Sequence, residues 1–174
     1  MLKQAGRVGV ICFFVISLFG CSFLKPDKRE ELPVPLEITL GASERVNPSV
    51  SGRPSPIAVR LFELTKDTKF SAAGYFELMA EDGKAALGEE MLTSEEFVLL
   101  PGEVRVIRKR AASDSRFLGI VAGYRDLSGS TWRAVEPLPA PHLEGRLWSS
   151  KASPTKHLYV VIGERSVTVR EPTK

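Results

Sequence analysis

Few side chains in this 174-residue sequence have the type and spacing for chemistry. An enzyme needs a nucleophile, a tuned acid or base, or a metal cluster. The two imidazoles, His142 and His157, fall on predicted strand segments with polar or aromatic neighbours, and no metal-ligand spacing involves them. Glu89-Glu90 and Glu95-Glu96 are adjacent pairs whose members diverge in regular structure, so they read as solvated helix ends instead of an acid/base pair. No nucleophile elbow and no phosphate-cradling glycine loop occurs. This inventory argues against catalysis, a bound metal, a cofactor or a small-molecule substrate. Trp132 and Trp148 have the surface to stack on a sugar, and equally read as buried aromatics of a sandwich. Cys21 is left as the side chain with the clearest chemistry, because it ends a short apolar run.

That run is Val8 to Phe19, preceded by Lys3 and Arg7. It is shorter than the roughly 20 apolar residues of a membrane-spanning helix and suits the h-region of a cleaved signal. With Leu18-Phe19-Gly20-Cys21 at its end it resembles a bacterial lipoprotein signal. Leu18 and Gly20 match the lipobox pattern, whereas Phe19 stands where a small residue is usual. An ordinary signal peptide, or a buried apolar helix ending in cysteine, is the competing reading. The resemblance implies that residues 1–20 are removed and that Cys21 carries a diacylglycerol and an N-acyl chain. Ser22 after the cysteine implies transfer to the outer membrane, with the domain facing the periplasm. Two acyl chains already give stable attachment, so three make release negligible.

Cleavage there leaves about 150 residues, the size at which one domain buries roughly 68–70% of its unfolded surface. Cys12 leaves with the signal and Cys21 is used by lipid, so no thiol remains for a disulfide. The net charge of +3 loses the two positive charges of Lys3 and Arg7, which leaves it close to neutral. No sustained basic stripe suggests nucleic acid; Arg105, Arg108, Lys109 and Arg110 read as a solvated strand face.

The elements behind the anchor begin with a tether over 21–35, punctuated by Pro26, Pro33 and Pro35. From residue 36 to 174, short alternating or apolar segments bounded by turn residues predict an all-β sandwich of about eight strands. Leu36, Ile38 and Leu40 alternate in a first strand; Ile57, Val59 and Leu61 alternate with Ala58, Arg60 and Phe62 in a second. The loop between them, Ser43 to Pro56, is long for a strand connection. Residues 70–93 predict a helical insertion: a helix over Phe70–Met79 with Ser71 as N-cap and Phe70 and Tyr75 as a hydrophobic staple, then a turn over Leu87–Leu92. Covering an open end or edge of the sheets is the expected role of this insertion. Phe97–Leu100, a type II turn at Pro101-Gly102, and Glu103–Lys109 predict a hairpin. Phe117–Tyr124 reads as a central strand in which Gly119 and Gly123 leave room for a facing ring. Thr131–Val135, His142–Trp148, His157–Ile162 and Val167–Arg170 complete the set, with Pro137–Pro141 confined to an edge or loop.

In order, these pieces resemble TssJ, the outer-membrane lipoprotein family of type VI secretion. The resemblance rests on the lipobox at Cys21, Leu40-Gly41-Ala42-Ser43 leading to Asn47-Pro48, and Gly52-Arg53-Pro54 before Val59–Leu64. Further on it rests on the helix opening at Phe70, Leu100–Glu103, and Leu118–Asp126 followed by Trp132. Gly74 departs from the family pattern, and the resemblance assigns no meaning to Pro137–Pro141. The resemblance implies a transthyretin-like two-sheet β-sandwich with a small helical insertion. It also implies a scaffold in the membrane core complex that binds the periplasmic C-terminal region of the large inner-membrane component, TssM. The contact it implies is the first loop: Glu44, Arg45, Val46, Asn47, Pro48, Ser49, Val50, Ser51, Gly52, Arg53 and Pro54. A tolerated surface excursion is the bland reading of the same residues. The alternative function is a lipid-anchored periplasmic module that captures a glycan or peptide on an aromatic face.

Overall fold

The computed structural model describes residues 31–81, 83–140, 142–143 and 154–171, within a compact unit that begins at Glu31. In chain order the strands are β1 (Glu31–Leu32), β2 (Pro35–Ala42), β3 (Ile57–Leu64), β4 (Met91–Leu99), β5 (Val104–Arg110), β6 (Phe117–Ala122), β7 (Arg133–Pro137), β8 (His142–Leu143), β9 (Lys156–Ile162) and β10 (Val167–Arg170). Eight of them form two four-stranded sheets, ordered β10-β9-β2-β5 and β4-β3-β6-β7, while β1 and β8 pair with each other. The mainly β, two-sheet expectation is met. Two segments of the expected tether are in strands: Glu31–Leu32 pairs with His142–Leu143, and Pro35 opens β2.

Period-two alternation builds the core. Leu36, Ile38 and Leu40 on β2 and Leu158, Val160 and Ile162 on β9 meet Ile57, Val59 and Leu61 on β3 and Leu118 and Ile120 on β6. Each such side chain contributes about 1.5–3 kcal/mol by leaving water. The alternation ends on β3 after Leu61, because Phe62 and Leu64 are buried as well. They face the other way, into a second cluster with Val121, Phe70, Leu78 and Leu87.

That second cluster corrects the reading of the insertion, which covers the outer face of the β3/β6 sheet and not an open end or edge. Its helix is also broken in two, α1 (Thr68–Ala72) and α2 (Tyr75–Met79), followed by α3 (Lys84–Leu87) and a 3-10 turn over Gly88–Glu90. Ser71 lies inside α1 and caps nothing, so the staple built on it falls too. The N-cap of α2 is Gly74, whose N–H donates to the Glu77 carboxylate at 2.6 Å. Leu92, expected in a helical turn, belongs to β4, which begins at Met91. Two arginines satisfy carbonyls at the ends of these short helices, which have too few turns to do so internally. Arg133 donates to Phe70 and Ala73 carbonyls at 2.8 and 2.9 Å, and Arg60 to those of Leu78 and Ala80 at 3.1 and 2.7 Å.

The expected hairpin is a corner between sheets. The turn itself is as read, with Glu103 N–H donating to the Leu100 carbonyl at 3.0 Å and Gly102 at φ +78°. Its two strands part company: β4 pairs with β3 and β5 pairs with β2. Side chains close the gap. Glu63, buried on β3, accepts from Lys109 Nζ at 2.6 Å and from Ala112 N–H at 2.6 Å, and Lys109 also pairs with Glu95. Burial alone would lower the Lys109 pKa; the hydrogen bonds to Glu63 and Glu95 outweigh it and hold the ammonium above its ordinary value. Glu95 and Glu96 diverge as expected, Glu96 to Arg60 at 2.5 Å, but on a strand and not at a helix end.

β6 lies between β3 and β7 as a central strand, with Gly119 facing the Phe70 ring. Pro137 ends β7 at the sheet edge, where its missing N–H is harmless. Pro141 and most of the expected His142–Trp148 strand, Trp148 included, lie outside the described residues.

Candidate partner-binding end of the sandwich

Four connections meet at one end of the two sheets: 43–56, 100–103, 123–132 and 163–166. The registers place them together, since Gly41 pairs with Val104 and Val161, Ile57 with Leu99, and Val59 with Ala122. The chain enters β2 from β1 at the opposite end, where Pro35 pairs with Arg110.

Asn47 pins the 43–56 loop. It is buried, with φ +48°, a left-handed conformation that asparagine tolerates better than most residues. Its Nδ2 donates to the Pro56 carbonyl at 2.9 Å, its Oδ1 accepts from Arg125 N–H at 2.8 Å, and its own N–H donates to the Glu164 carbonyl at 3.2 Å. This one residue thus ties three of the four connections, two through its side chain and the third through its backbone N–H. Val46 beside it is fully buried in the main core, and its carbonyl accepts from Ser55 N–H at 3.1 Å.

Beyond this base the loop folds into a small hairpin. Ser49 N–H donates to the Arg53 carbonyl and Gly52 N–H to the Ser49 carbonyl, both at 2.8 Å. Gly52 has φ +76°. The Arg53 guanidinium donates through Nε to Ser51 Oγ at 3.3 Å, and the Ser49 and Ser51 hydroxyls lie 3.0 Å apart. Val50 stands at the tip with its side chain fully exposed. Of the residues expected to contact a partner, Glu44, Arg45, Val50, Ser51, Gly52, Arg53 and Pro54 are exposed and Pro48 and Ser49 half-buried. Val46 and Asn47 are buried and hold the loop up from below.

Neighbouring connections brace it. Gly102 N–H donates to the Ser43 carbonyl at 3.2 Å. Tyr124, whose phenol burial pushes up and keeps protonated, donates to the Gly163 carbonyl at 3.2 Å. The Asp126 carboxyl is held below its ordinary value by the Gly129 N–H first and the Ser128 hydroxyl second, and Arg165 pairs with it at 3.2 Å. Arg45 meets Glu164 at 3.5 Å, an exposed pair worth about 0–1 kcal/mol. The cleft between Asn47, Pro48, Tyr124, Asp126, Glu164 and Arg165 measures about 20 Å³, room for one water and not for a substrate. The bracing role of Asn47 and Tyr124 was missed from sequence; Asn-Pro after a polar run was the available signal for a left-handed turn.

The other candidates sit apart. Cys21 with Leu18, Phe19 and Gly20 lies outside the described residues. Among those described, no helix is long and apolar enough to cross a membrane and no group of three His, Cys, Asp or Glu is placed to hold a metal. His157 lies on the outer face of β9, 3.4 Å from Glu37. Trp132 is half-buried, with the Arg133 guanidinium 4.9 Å over its ring and Tyr75 edge-on at 5.5 Å.

This two-sheet sandwich shares its fold with solved type VI secretion lipoproteins. The chain belongs to that family: residues 34–164 match the family described as type VI secretion lipoprotein, VasD, EvfM, TssJ. It is similar to the crystal structure of the lipoprotein TssJ1 from Pseudomonas aeruginosa, at 34% identity over 82% of this chain and 99% of that one, with a TM-score of 0.72. Serratia marcescens Lip, a membrane-bound component of the type VI secretion system, is 29% identical over 82% of this chain and 100% of that one, TM-score 0.71. A chain from a structure of the type VI membrane complex shares the fold at 19% identity over 80% of this chain and 99% of that one, TM-score 0.64. No curated protein matches the chain.

Proposed function

We propose that this chain is a non-catalytic scaffold of the type VI secretion membrane core complex. Lipid on Cys21 holds it at the outer membrane, and it binds the periplasmic C-terminal region of a TssM-like inner-membrane protein. The observation that carries this reading is the polarity of β2: the chain enters one end of the strand from the tether side, and the braced loop leaves from the other. An eight-residue strand spans about 25 Å, so the point where the chain enters β2 and the point where the loop leaves it stand at opposite ends of the sandwich. Internal bonding of the loop supports the partner contact, because a tip already folded loses little freedom on docking. An aromatic platform for a glycan gains no support from Trp132, whose ring is already engaged by Arg133 and Tyr75.

Co-purification from membranes tests it. Val50→Asp with Arg53→Glu is expected to abolish recovery of the TssM-like protein without unfolding the chain; undiminished recovery would sink the loop contact. Cys21→Ser is expected to stop palmitate labelling and release the domain from outer-membrane fractions, and retention of the unlabelled protein there argues against the anchor.

A further inference from the structure

The helical insertion covers the outer face of one sheet, and the outer face of the other is open among the described residues. On that open face Gly41 pairs with Val104 on one side and Val161 on the other, and Thr39 pairs with Val106 and Tyr159. The four flanking side chains are 66, 38, 46 and 43% exposed in that order. They stand two strand spacings apart, about 10 Å, with only Gly41 and Thr39 between them. A Cβ built at Gly41 meets nothing within 4 Å among the described residues, and the backbone there is not left-handed. The result is an apolar groove along β2, floored by glycine and walled by valines and tyrosine.

No backbone requirement explains this glycine. Glycine in a strand costs about 0.5–1 kcal/mol against alanine and marks a bulge, a tight bend or the close approach of another backbone; β2 keeps unbroken register with both neighbours through Gly41, which leaves the last. The groove is also continuous with the loop proposed as the partner contact: Ala42 N–H donates to the Glu103 carbonyl at 2.9 Å, and Ser43 follows at once as the loop's first residue. Size points the same way. The exposed part of that loop is about eight residues, against about 20–30 residues a side in a specific interface.

We propose that this groove is the second half of the interface: the partner that takes the loop also lays an extended apolar segment along β2, over Gly41 and between Val104 and Val161. The inference rests on the loop reading for the identity of the partner. Gly41 admits the segment's backbone, and the flat β-branched walls accept its alternate apolar side chains.

The test uses the full-length lipidated chain in detergent, titrated with the purified periplasmic C-terminal region of the TssM-like protein. Gly41→Val fills the floor and is expected to raise Kd at least tenfold while leaving the thermal midpoint unchanged or higher. Val104→Ser with Val161→Ser, which keeps the floor open and removes the walls, is expected to weaken binding likewise and guards against a misfolded first variant. Kd within twofold of the unaltered chain for both overturns the groove. Val50→Asp is measured beside them: loss there alone leaves the loop reading standing without the groove, and loss only in the groove variants does the reverse. A photo-crosslinking aromatic at Tyr159 should couple to the partner; coupling only to lipid, to a second copy or within the chain overturns the proposal. Absence of binding by the unaltered chain overturns both readings.

Discussion

The ring of Phe70 occupies the place of a side chain on Gly119: a Cβ built there would sit 2.7 Å from the ring's Cζ and 2.8 Å from Cε2. This contact seats α1 on β6, and with it the whole second core. Gly119→Ala is expected to destabilise the domain by about 1–3 kcal/mol, the usual result of overpacking. Urea unfolding measures it, and in a Phe70→Leu background the same alanine should cost clearly less.

Lys109 and Glu63 join the sheets where the corner separates β4 from β5. Lys109→Met leaves Glu63, only 4% exposed, without its cation and is expected to cost about 3 kcal/mol. Adding Glu63→Gln should recover part of that loss, read from the same unfolding curves. The folded-state Lys109 pKa is raised, so its contribution is fully present below the ordinary 10.5 and is lost as pH rises through the folded value. Stability should therefore fall in that alkaline window, and by less in Lys109→Met.

Asn47→Ala removes two side-chain hydrogen bonds and a residue suited to its left-handed backbone. It is expected to cost about 1–3 kcal/mol. Amide exchange should quicken at Arg125 and across 49–53, and partner affinity should fall through loosening of the loop, since Asn47 is buried beneath it. Asn47→Asp keeps the acceptor for Arg125 N–H and loses the donor to Pro56, so its effect should be intermediate.

Two carboxylates, Glu103 half-buried and Asp126 exposed, make the same end sensitive to acid. Glu103 is held below its ordinary 4.5 by the Leu100 N–H first and Arg105 second, and Asp126 below 3.8 by the Gly129 N–H. Their contributions are complete above those ordinary values and are lost as pH falls through the lower folded values. The Leu100 and Gly129 amide resonances should hold constant through neutral pH and move only at pH values below the ordinary ones. Movement near neutrality would contradict these contacts.

Most of the sandwich was legible because β2 and the first half of β3 obey strict alternation, and because Pro101-Gly102 and Asp126–Ser130 carry turn chemistry. What failed was non-local. Phe62 and Leu64 break the alternation because a cover from residues 68–87 makes the outer face apolar too, and nothing in the local pattern says which face a cover takes. The Leu100–Glu103 turn was read correctly and its strands paired wrongly, since a turn fixes direction only over four residues while β3 and β2 compete for the strands that leave it. Ser71 looked like a cap because serine favours that position and Phe70 and Tyr75 stand at staple spacing around it; Gly74 with Glu77 three residues on was the better signal. In the loop, length and prolines marked the segment, but the division between Val50 and Arg53 outside and Val46 and Asn47 inside depends on Arg125 and Pro56, at sequence distances no pattern reaches.

β2 has neighbours on both sides, antiparallel β5 and parallel β9, each in register over seven residues. If the outer membrane holds the chain before Glu31 and the partner holds the loop after Ala42, tension between the two envelope layers runs along the axis of this one strand. Ladder bonds that cross a strand sideways are then loaded together in shear instead of being unzipped in turn. The sandwich would act as a mechanical coupling whose yield force is set by β2, and a glycine or proline placed at Thr39 would weaken that coupling far more than it lowers equilibrium stability.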